Sequence, residues 1–460
     1  MQIKKSISLI LATVITLFSL TSLSGCKEKT PSTVLGANGE KLAEITSTTS
    51  GDAAYTNEEY SYYIDFVVED AALALAEIKG ISKEDGAELL CSEGYTILTL
   101  FEVEAMQALI KAEQESGLAE DALFGGAVTN LEGAVTAVYS SGENDGLKNF
   151  ALAKSQPYSA FKPLSVYTPA LERGIINWAT PTKDSPFKQI TDENGYKTDW
   201  PTNSNGRYTE KYISIGDAVR DSVNTVSVHT LDKLGVKNSL DFLKNSFDLD
   251  LTEEREKVKK SGYEEIYGNL AMGYLIKGVS PVDMAGYYSI FANGGKYTKP
   301  YAVAEIKNQK GEVIYTAEPE EKQVICEETA YIMNRMLNTV VTRGGTGKNA
   351  AVSGVDICGK TGTGSVNGLK GNWFSGFTPQ YSCAIWHGGM EGSNIAPDIF
   401  KIFASNMNNS KVREFNSPKN IQRQIFCAES GKLFTSNCGE ISEGYFSREN
   451  IPEKCEGHSR

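Results

Sequence analysis

The stretch SQPYSAFKPLSVYTPALERG, residues 155–174, carries a helical pattern and a reactive pair in the same few turns. Phe161, Leu164 and Leu171 recur at near-helical spacing and Gly174 offers a stop, which predicts a helix opening at Ser159. On such a helix Ser159 and Lys162 share a face, one turn apart. A serine hydroxyl is a weak nucleophile until a base takes its proton. A lysine serves as that base only when burial or a nearby cation lowers its pKa. The positive end of the helix dipole would lie where an oxyanion develops.

Ser-x-x-Lys alone decides little, because it recurs at Ser24/Lys27 and Ser185/Lys188. The first repeat lies in the N-terminal segment, and the second in a polar, Pro-containing stretch with no helix signal. Two more motifs follow the Ser159 segment in order. A helix-like segment, DAVRDSVNTVSVHTLDKLG (217–235), holds Ser222-Val223-Asn224. GKTGTG (359–364) then places Lys360-Thr361-Gly362 just before a predicted strand pair. Ser-x-Asn also occurs at Ser365/Asn367, whereas Lys-Thr-Gly occurs once. Ser-x-x-Lys, Ser-x-Asn and Lys-Thr-Gly in this order form the motif set of penicillin-binding proteins and serine β-lactamases.

On these residues the chain resembles the transpeptidase part of class A penicillin-binding proteins. The resemblance extends to SPVDMAGYYSIFANGGKYTKPYAVAEIKNQKGEVIY (280–315), to GTGKNAAVSGVDICGKTGTG (345–364) with NWFSGFTPQYSCAIWHGG (372–389), and to the tail FCAESGKLFTSNCGEISEGYFSRENIPEKCEGH (426–458). Residues 58–140 look like the linker that precedes that domain. It implies that Ser159 attacks the carbonyl between the terminal D-alanines of a peptidoglycan stem peptide, with Lys162 as the base. Ser222 would relay a proton toward the leaving amine, with Lys360. Asn224 would hold the substrate backbone and Lys162, and Lys360 and Thr361 would meet the terminal carboxylate. Backbone N–H groups of Ser159 and Thr363 would form the oxyanion hole, and Gly362 would let the substrate strand approach. The two lysines would depress each other's pKa. β-Lactam antibiotics are expected ligands; no metal and no organic cofactor is expected. The rival readings are a D,D-carboxypeptidase, a β-lactamase-like hydrolase, and a catalytically silent binding lipoprotein.

Outward from the motifs, GAVTNLEGAVTAVYS from Gly126 reads as two strands, residues 159–293 as mostly helical, and AVAEIKN with EVIYTAE as a second hairpin. Strands at both ends of a helical middle predict an α+β domain, an antiparallel sheet flanked by helices with a helical subdomain, over 126–415. Residues 56–125 predict a small α/β linker unit: a helix opened by a Thr56–Glu59 capping box and stopped at Gly80, a second from about Ser82, a strand in YTILTLF, and a third helix ending at Gly117. Residues 27–55, rich in Ser, Thr and Gly, read as a polar tether. GGTGK (344–348) fails as a phosphate loop, since Thr342 and Asn349 stand where Gly and Ser or Thr are needed, and is read as a turn.

Residues 1–26 combine Lys4 and Lys5, a short apolar run and Leu-Ser-Gly-Cys, resembling a lipoprotein signal with Cys26 as the lipidated residue. This predicts a protein anchored on the extracytoplasmic face of a bacterial membrane. Class A enzymes carry a glycosyltransferase domain before the linker. Here only 27–55 stands in that place, so the resemblance leads to the expectation of a crosslinking half alone, with a separate glycosyltransferase as partner. The 460 residues carry a net charge of −13, which argues against nucleic-acid binding. Only His229, His387 and His458 are present, a poor basis for a histidine triad or metal site, and packed or surface roles are expected for His229 and His387. In the tail 416–460, Cys427, Cys438 and Cys455 match no common zinc spacing, and one disulfide among them is the expectation.

Overall fold

The structure is a computed structural model that describes residues 29–46, 60–143, 149–191, 195–260, 266–366, 368–389, 393–407 and 413–457. Cys26 and the Thr56–Glu59 capping box lie outside the described residues. The chain opens with β1 (Ser32–Leu35) and β2 (Lys41–Ile45). Helices α1 (Ser61–Lys79) and α2 (Lys83–Leu90), β3 (Thr96–Thr99) and α3 (Val103–Gln114) follow. Gly80 ends α1 in the left-handed region at φ 65, and the Ser82 hydroxyl caps α2 by accepting from the Asp85 amide.

Strands β4 (Leu123–Asn130) and β5 (Val135–Ser141) lead to the Ser159 segment, which ends in α4 (Thr168–Glu172). Four short strands, β6 (Pro181–Lys183), β7 (Lys188–Thr191), β8 (Lys197–Trp200) and β9 (Tyr212–Ser214), interrupt the middle that sequence patterning makes mostly helical. They pair β6 with β9 and β7 with β8. Then come α5 (Ile215–Asp221), α6 (Asn224–Leu234), α7 (Val236–Phe247), α8 (Thr252–Lys260), α9 (Tyr267–Met272) and α10 (Pro281–Ser289). Strands β10 (Lys296–Thr298), β11 (Val303–Lys307), β12 (Val313–Thr316) and β13 (Glu321–Gln323) precede the long α11 (Glu327–Thr342). Strands β14 (Cys358–Val366), β15 (Leu369–Phe377) and β16 (Tyr381–Gly389), helix α12 (Ala396–Asn406) and the tail strands β17 (Ile421–Cys427) and β18 (Ile441–Ser447) complete the chain.

The main sheet is antiparallel throughout, in the order β14-β15-β16-β4-β5, so β14 is an edge strand. Its side chains alternate between two cores. Trp373, Phe377 and Trp386 face the core shared with the Ser159 segment and α6–α11. Phe374, Ile385 and Cys383 face the core closed by α3 and α12. This is the mixed α+β architecture expected from the sequence.

Three expectations are corrected. The stretch read as a tether folds in part: β1 and β2 pair with each other, and β1 pairs with β3 in a five-stranded sheet, β12-β11-β3-β1-β2. Val34, Leu42, Ala43 and Ile45 are buried there, an apolar alternation hidden by the polar composition around it. The 303–316 hairpin joins this small sheet rather than the main one, through β11 against β3. The Asp70 carboxylate of α1 fixes it by accepting from the Ala302 and Val303 amides at 2.8 and 2.9 Å. Finally, none of the seven described cysteines is in a disulfide, so the bridge expected among Cys427, Cys438 and Cys455 is not formed.

Candidate active site

The Ser159 segment is helical but not a regular α-helix. Tyr158–Phe161 form a 3-10 turn, Pro163–Tyr167 a π-helical turn, and α4 closes the run before Gly174 at φ 64. Tyr158, just before the nucleophile candidate, has φ 49, a costly conformation for a tyrosine that surrounding contacts must hold. Those contacts are visible. The Tyr158 amide donates to the Gly273 carbonyl, Trp373 Nε1 donates to the Gln156 carbonyl at 2.8 Å, and the Tyr288 hydroxyl donates to the Ala160 carbonyl. The Tyr158 ring lies over Gly364, where a Cβ would come within 2.1 Å of it. Among the described residues no protein group hydrogen-bonds the Ser159 hydroxyl, and Ser159 is half-buried.

Lys162 and Lys360 are both fully buried and converge on Ser222 from opposite sides. Lys162 Nζ donates to Asn224 Oδ1 at 2.6 Å and to the Ser222 carbonyl at 2.9 Å, and lies 3.5 Å from Ser222 Oγ. Lys360 Nζ donates to Ser222 Oγ at 2.8 Å and to the Thr361 carbonyl at 3.2 Å. Ser222 ends α5 in the left-handed region at φ 60, and Asn224 opens α6, so one bend between two helices presents both side chains. No Asp or Glu is among the hydrogen-bond partners of Lys162, Ser222, Asn224 or Lys360 in the described residues.

Burial is the main cause that pushes the Lys162 amine well below the ordinary lysine range, and the Lys360 charge adds to it. Burial also lowers Lys360, to about 7, against a rise from Asp221. The Lys360 charge acting on Lys162 is in the direction of the depression expected from the sequence.

Gly362 departs from the role expected of it. A Cβ there would meet the Pro157 carbonyl at 2.3 Å, so the bare position lets β14 dock against the Ser159 turn rather than opening space for substrate. Thr361 and Thr363 sit on the same edge strand. The Thr361 hydroxyl donates to Thr346 Oγ1 at 2.7 Å, and Asn394 Nδ2 donates to Thr363 Oγ1 at 2.9 Å and to the Gly362 carbonyl at 3.1 Å. Ser159, Lys162, Ser222, Asn224, Lys360, Thr361 and Thr363 therefore lie together beside β14.

Sequence reasoning missed a supporting set. Asn203 Oδ1 accepts from the Asn224 and Thr225 amides at 3.0 and 3.3 Å, which caps α6 from outside the helix. Asp184 holds Asn203: its carboxylate accepts from Asn203 Nδ2, Thr225 Oγ1, and the amide and hydroxyl of Thr209, all at 2.7–2.8 Å. These residues are far apart in sequence and match no motif, so only the fold reveals them. Thr346 lies within the GGTGK turn, whose composition had no motif to mark it. His387 is packed, accepting from the Ile395 amide, with burial lowering its pKa to about 4. His229 contacts the Ser185 carbonyl and the Phe187 ring.

Known proteins resemble this chain in sequence and in fold. The sequence model of the penicillin-binding protein transpeptidase domain matches residues 126–401. Penicillin-binding protein 1F of Bacillus subtilis is 31% identical over 350 residues, covering 72% of this chain and 43% of that protein. Penicillin-binding protein 1A of Clostridium botulinum is 30% identical over 292 residues, covering 62% and 33%. The chain thus spans less than half the length of these curated relatives. Among solved structures, penicillin-binding protein 1A of Haemophilus influenzae superposes with a TM-score of 0.67 at 16% identity, covering 93% of this chain and 99% of that one. PonA1 of Mycobacterium tuberculosis superposes with a TM-score of 0.62 at 22% identity, covering 83% and 98%. PonA1 has also been solved in complex with penicillin V.

Proposed function

Since the chain belongs to the transpeptidase family of penicillin-binding proteins, we propose that it is a serine D,D-transpeptidase that crosslinks peptidoglycan stem peptides through an acyl-enzyme on Ser159. The observation that carries this reading is the pair of buried lysines meeting at Ser222, one of them, Lys162, three residues after Ser159.

Neutral Lys162 takes the Ser159 proton as Oγ attacks the carbonyl between the two terminal D-alanines. The tetrahedral oxyanion is met by the Ser159 and Thr363 amides. As the peptide C–N bond breaks, Ser222 passes its proton to the leaving D-alanine amine and is reprotonated by Lys360. The acyl-enzyme is then attacked by the amine of a neighbouring stem, whose proton passes through Ser222 back to Lys360, while Lys162 returns its proton to Ser159 Oγ as the acyl C–O bond breaks. Protonated Lys360 and the Thr361 hydroxyl receive the substrate's terminal carboxylate. Asn224 orients the substrate backbone and Lys162 together. A β-lactam would occupy the same cleft and acylate the same serine.

Stoichiometric labelling by a fluorescent penicillin, lost in Ser159→Ala, is the expected result. Multiple turnovers on a chromogenic β-lactam would instead make it a hydrolase. Labelling without dimeric muropeptides on nascent peptidoglycan would leave a binding protein. We further propose lipid attachment at Cys26 and an extracytoplasmic membrane location, supported by the Leu-Ser-Gly-Cys sequence. Cys26→Ala should remove the acyl mass and shift the protein out of the detergent phase; an unchanged mass would refute it.

A further inference from the structure

The tail brings together three sulfurs that its sequence spacing does not announce. Cys427 ends β17, and a tight turn follows in which the Gly431 amide donates to the Cys427 carbonyl and the Cys427 amide to the Lys432 carbonyl. Cys438 sits in a second turn, its amide donating to the Thr435 carbonyl. Cys455 arrives on a third segment, bridged to Leu433 through its own amide. The three sulfurs lie within 4.8 Å of one another, with Cys427 and Cys455 buried.

The surroundings suit thiolates. The Ser430 hydroxyl donates to Cys455 Sγ at 3.3 Å, and the Thr435 amide to Cys438 Sγ at 3.4 Å. Outer donors of this kind orient thiolates for a metal. A disulfide would use two sulfurs and strand the third. Four-coordinate zinc with bonds of about 2.3 Å sets sulfurs about 3.8 Å apart, inside the observed limit.

We propose that Cys427, Cys438 and Cys455 bind one zinc ion as thiolates, and that this clip ties the three segments of the tail to one another. Each thiol releases its proton to solvent as the metal binds. Soft sulfur donors in a compact, partly buried cluster select zinc over hard cations.

The clip has a route to the active site. Strand β18 lays Gly444 on the Trp178 indole, where a Cβ would come within 2.4 Å of the ring. The same indole packs on Gly216, where a Cβ would come within 2.3 Å. Gly216 lies in the first turn of α5, the helix that ends at Ser222. Tyr445 adds ring contacts to Trp178 and to Tyr331 of α11.

Metal analysis of the full chain purified without chelator tests the proposal. About one zinc per chain is expected, retained in Cys91→Ser and Cys326→Ser and reduced at least tenfold in Cys438→Ser. Cys438 is the least buried of the three, so its replacement perturbs packing least. Should Cys438→Ser misfold, cobalt substitution of the unaltered protein decides: thiolate-to-cobalt charge-transfer bands are expected, and their absence overturns the proposal. Less than a tenth of a zinc per chain, or a disulfide among the three cysteines by mass spectrometry, also overturns it.

Discussion

At the residue scale the account rests on two lysines in different protonation states. Lys162 must be neutral to accept the Ser159 proton, and burial with the Lys360 charge lowers its pKa in the direction that form requires. Lys360 must hold its proton to receive a carboxylate and to reprotonate Ser222. Its pKa of about 7 means that the protonated form is lost as pH rises through that value in the free enzyme. The second-order acylation rate should therefore fall above about pH 7, as a plot of rate against pH will show. A rate that keeps climbing toward pH 10 would contradict the assignment of Lys360. Lys162→Ala removes the base and should slow acylation by about 10²–10⁴-fold, read by stopped labelling with a fluorescent penicillin. Both lysines were legible in the sequence as motif positions. Their convergence on the Ser222-Val223-Asn224 motif followed from the resemblance, but the left-handed bend at Ser222 that presents this motif was not legible, because no residue pattern marks it.

At the element scale the key feature is how irregular backbone is held still. The Ser159 run changes from 3-10 to π to α within residues 158–172, where sequence periodicity reads a uniform helix. Periodicity locates apolar positions but does not distinguish these windings, which are fixed by neighbours such as Gly273 and Trp373. Gly362→Ala forces a methyl against the Pro157 carbonyl and should cost about 1–3 kcal/mol, measured by denaturant unfolding; an unchanged midpoint would show that β14 docks differently. Asn203→Ala removes the acceptor for the first amides of α6. A loss of about 1 kcal/mol is expected from caps of this kind, together with slower acylation as Asn224 loosens. Unchanged acylation would remove Asn203 from the positioning role.

At the scale of the whole molecule, the small α/β unit is not a separate bead. Its sheet takes β11 and β12 from the middle of the chain, and α3 and α12 share one core over the main sheet. The Tyr63 hydroxyl of α1 donates to the Val135 carbonyl of β5. A chain beginning at Gly126 would therefore lose a wall of its own core and should be insoluble or unreactive with penicillin; a soluble, reactive fragment would show that the two units are independent. The sequence divides these units at residue 126 because strands and helices are read locally. Pairings between β3 and β11 join residues about 200 apart, and local pattern carries no trace of such pairing. The fold class was legible because alternation in β15 and β16 and the helical middle follow from composition. The tail's three-sulfur cluster was not, since turns rather than spacing assemble it.

The central claim is that Ser159 forms the acyl-enzyme. Intact-protein and peptide mass spectrometry after exposure to benzylpenicillin tests it most directly. The account predicts a single acyl adduct per chain on the peptide containing Ser159, absent in Ser159→Ala and unchanged in Ser185→Ala. An adduct on any other residue, or none on a folded protein, would contradict it.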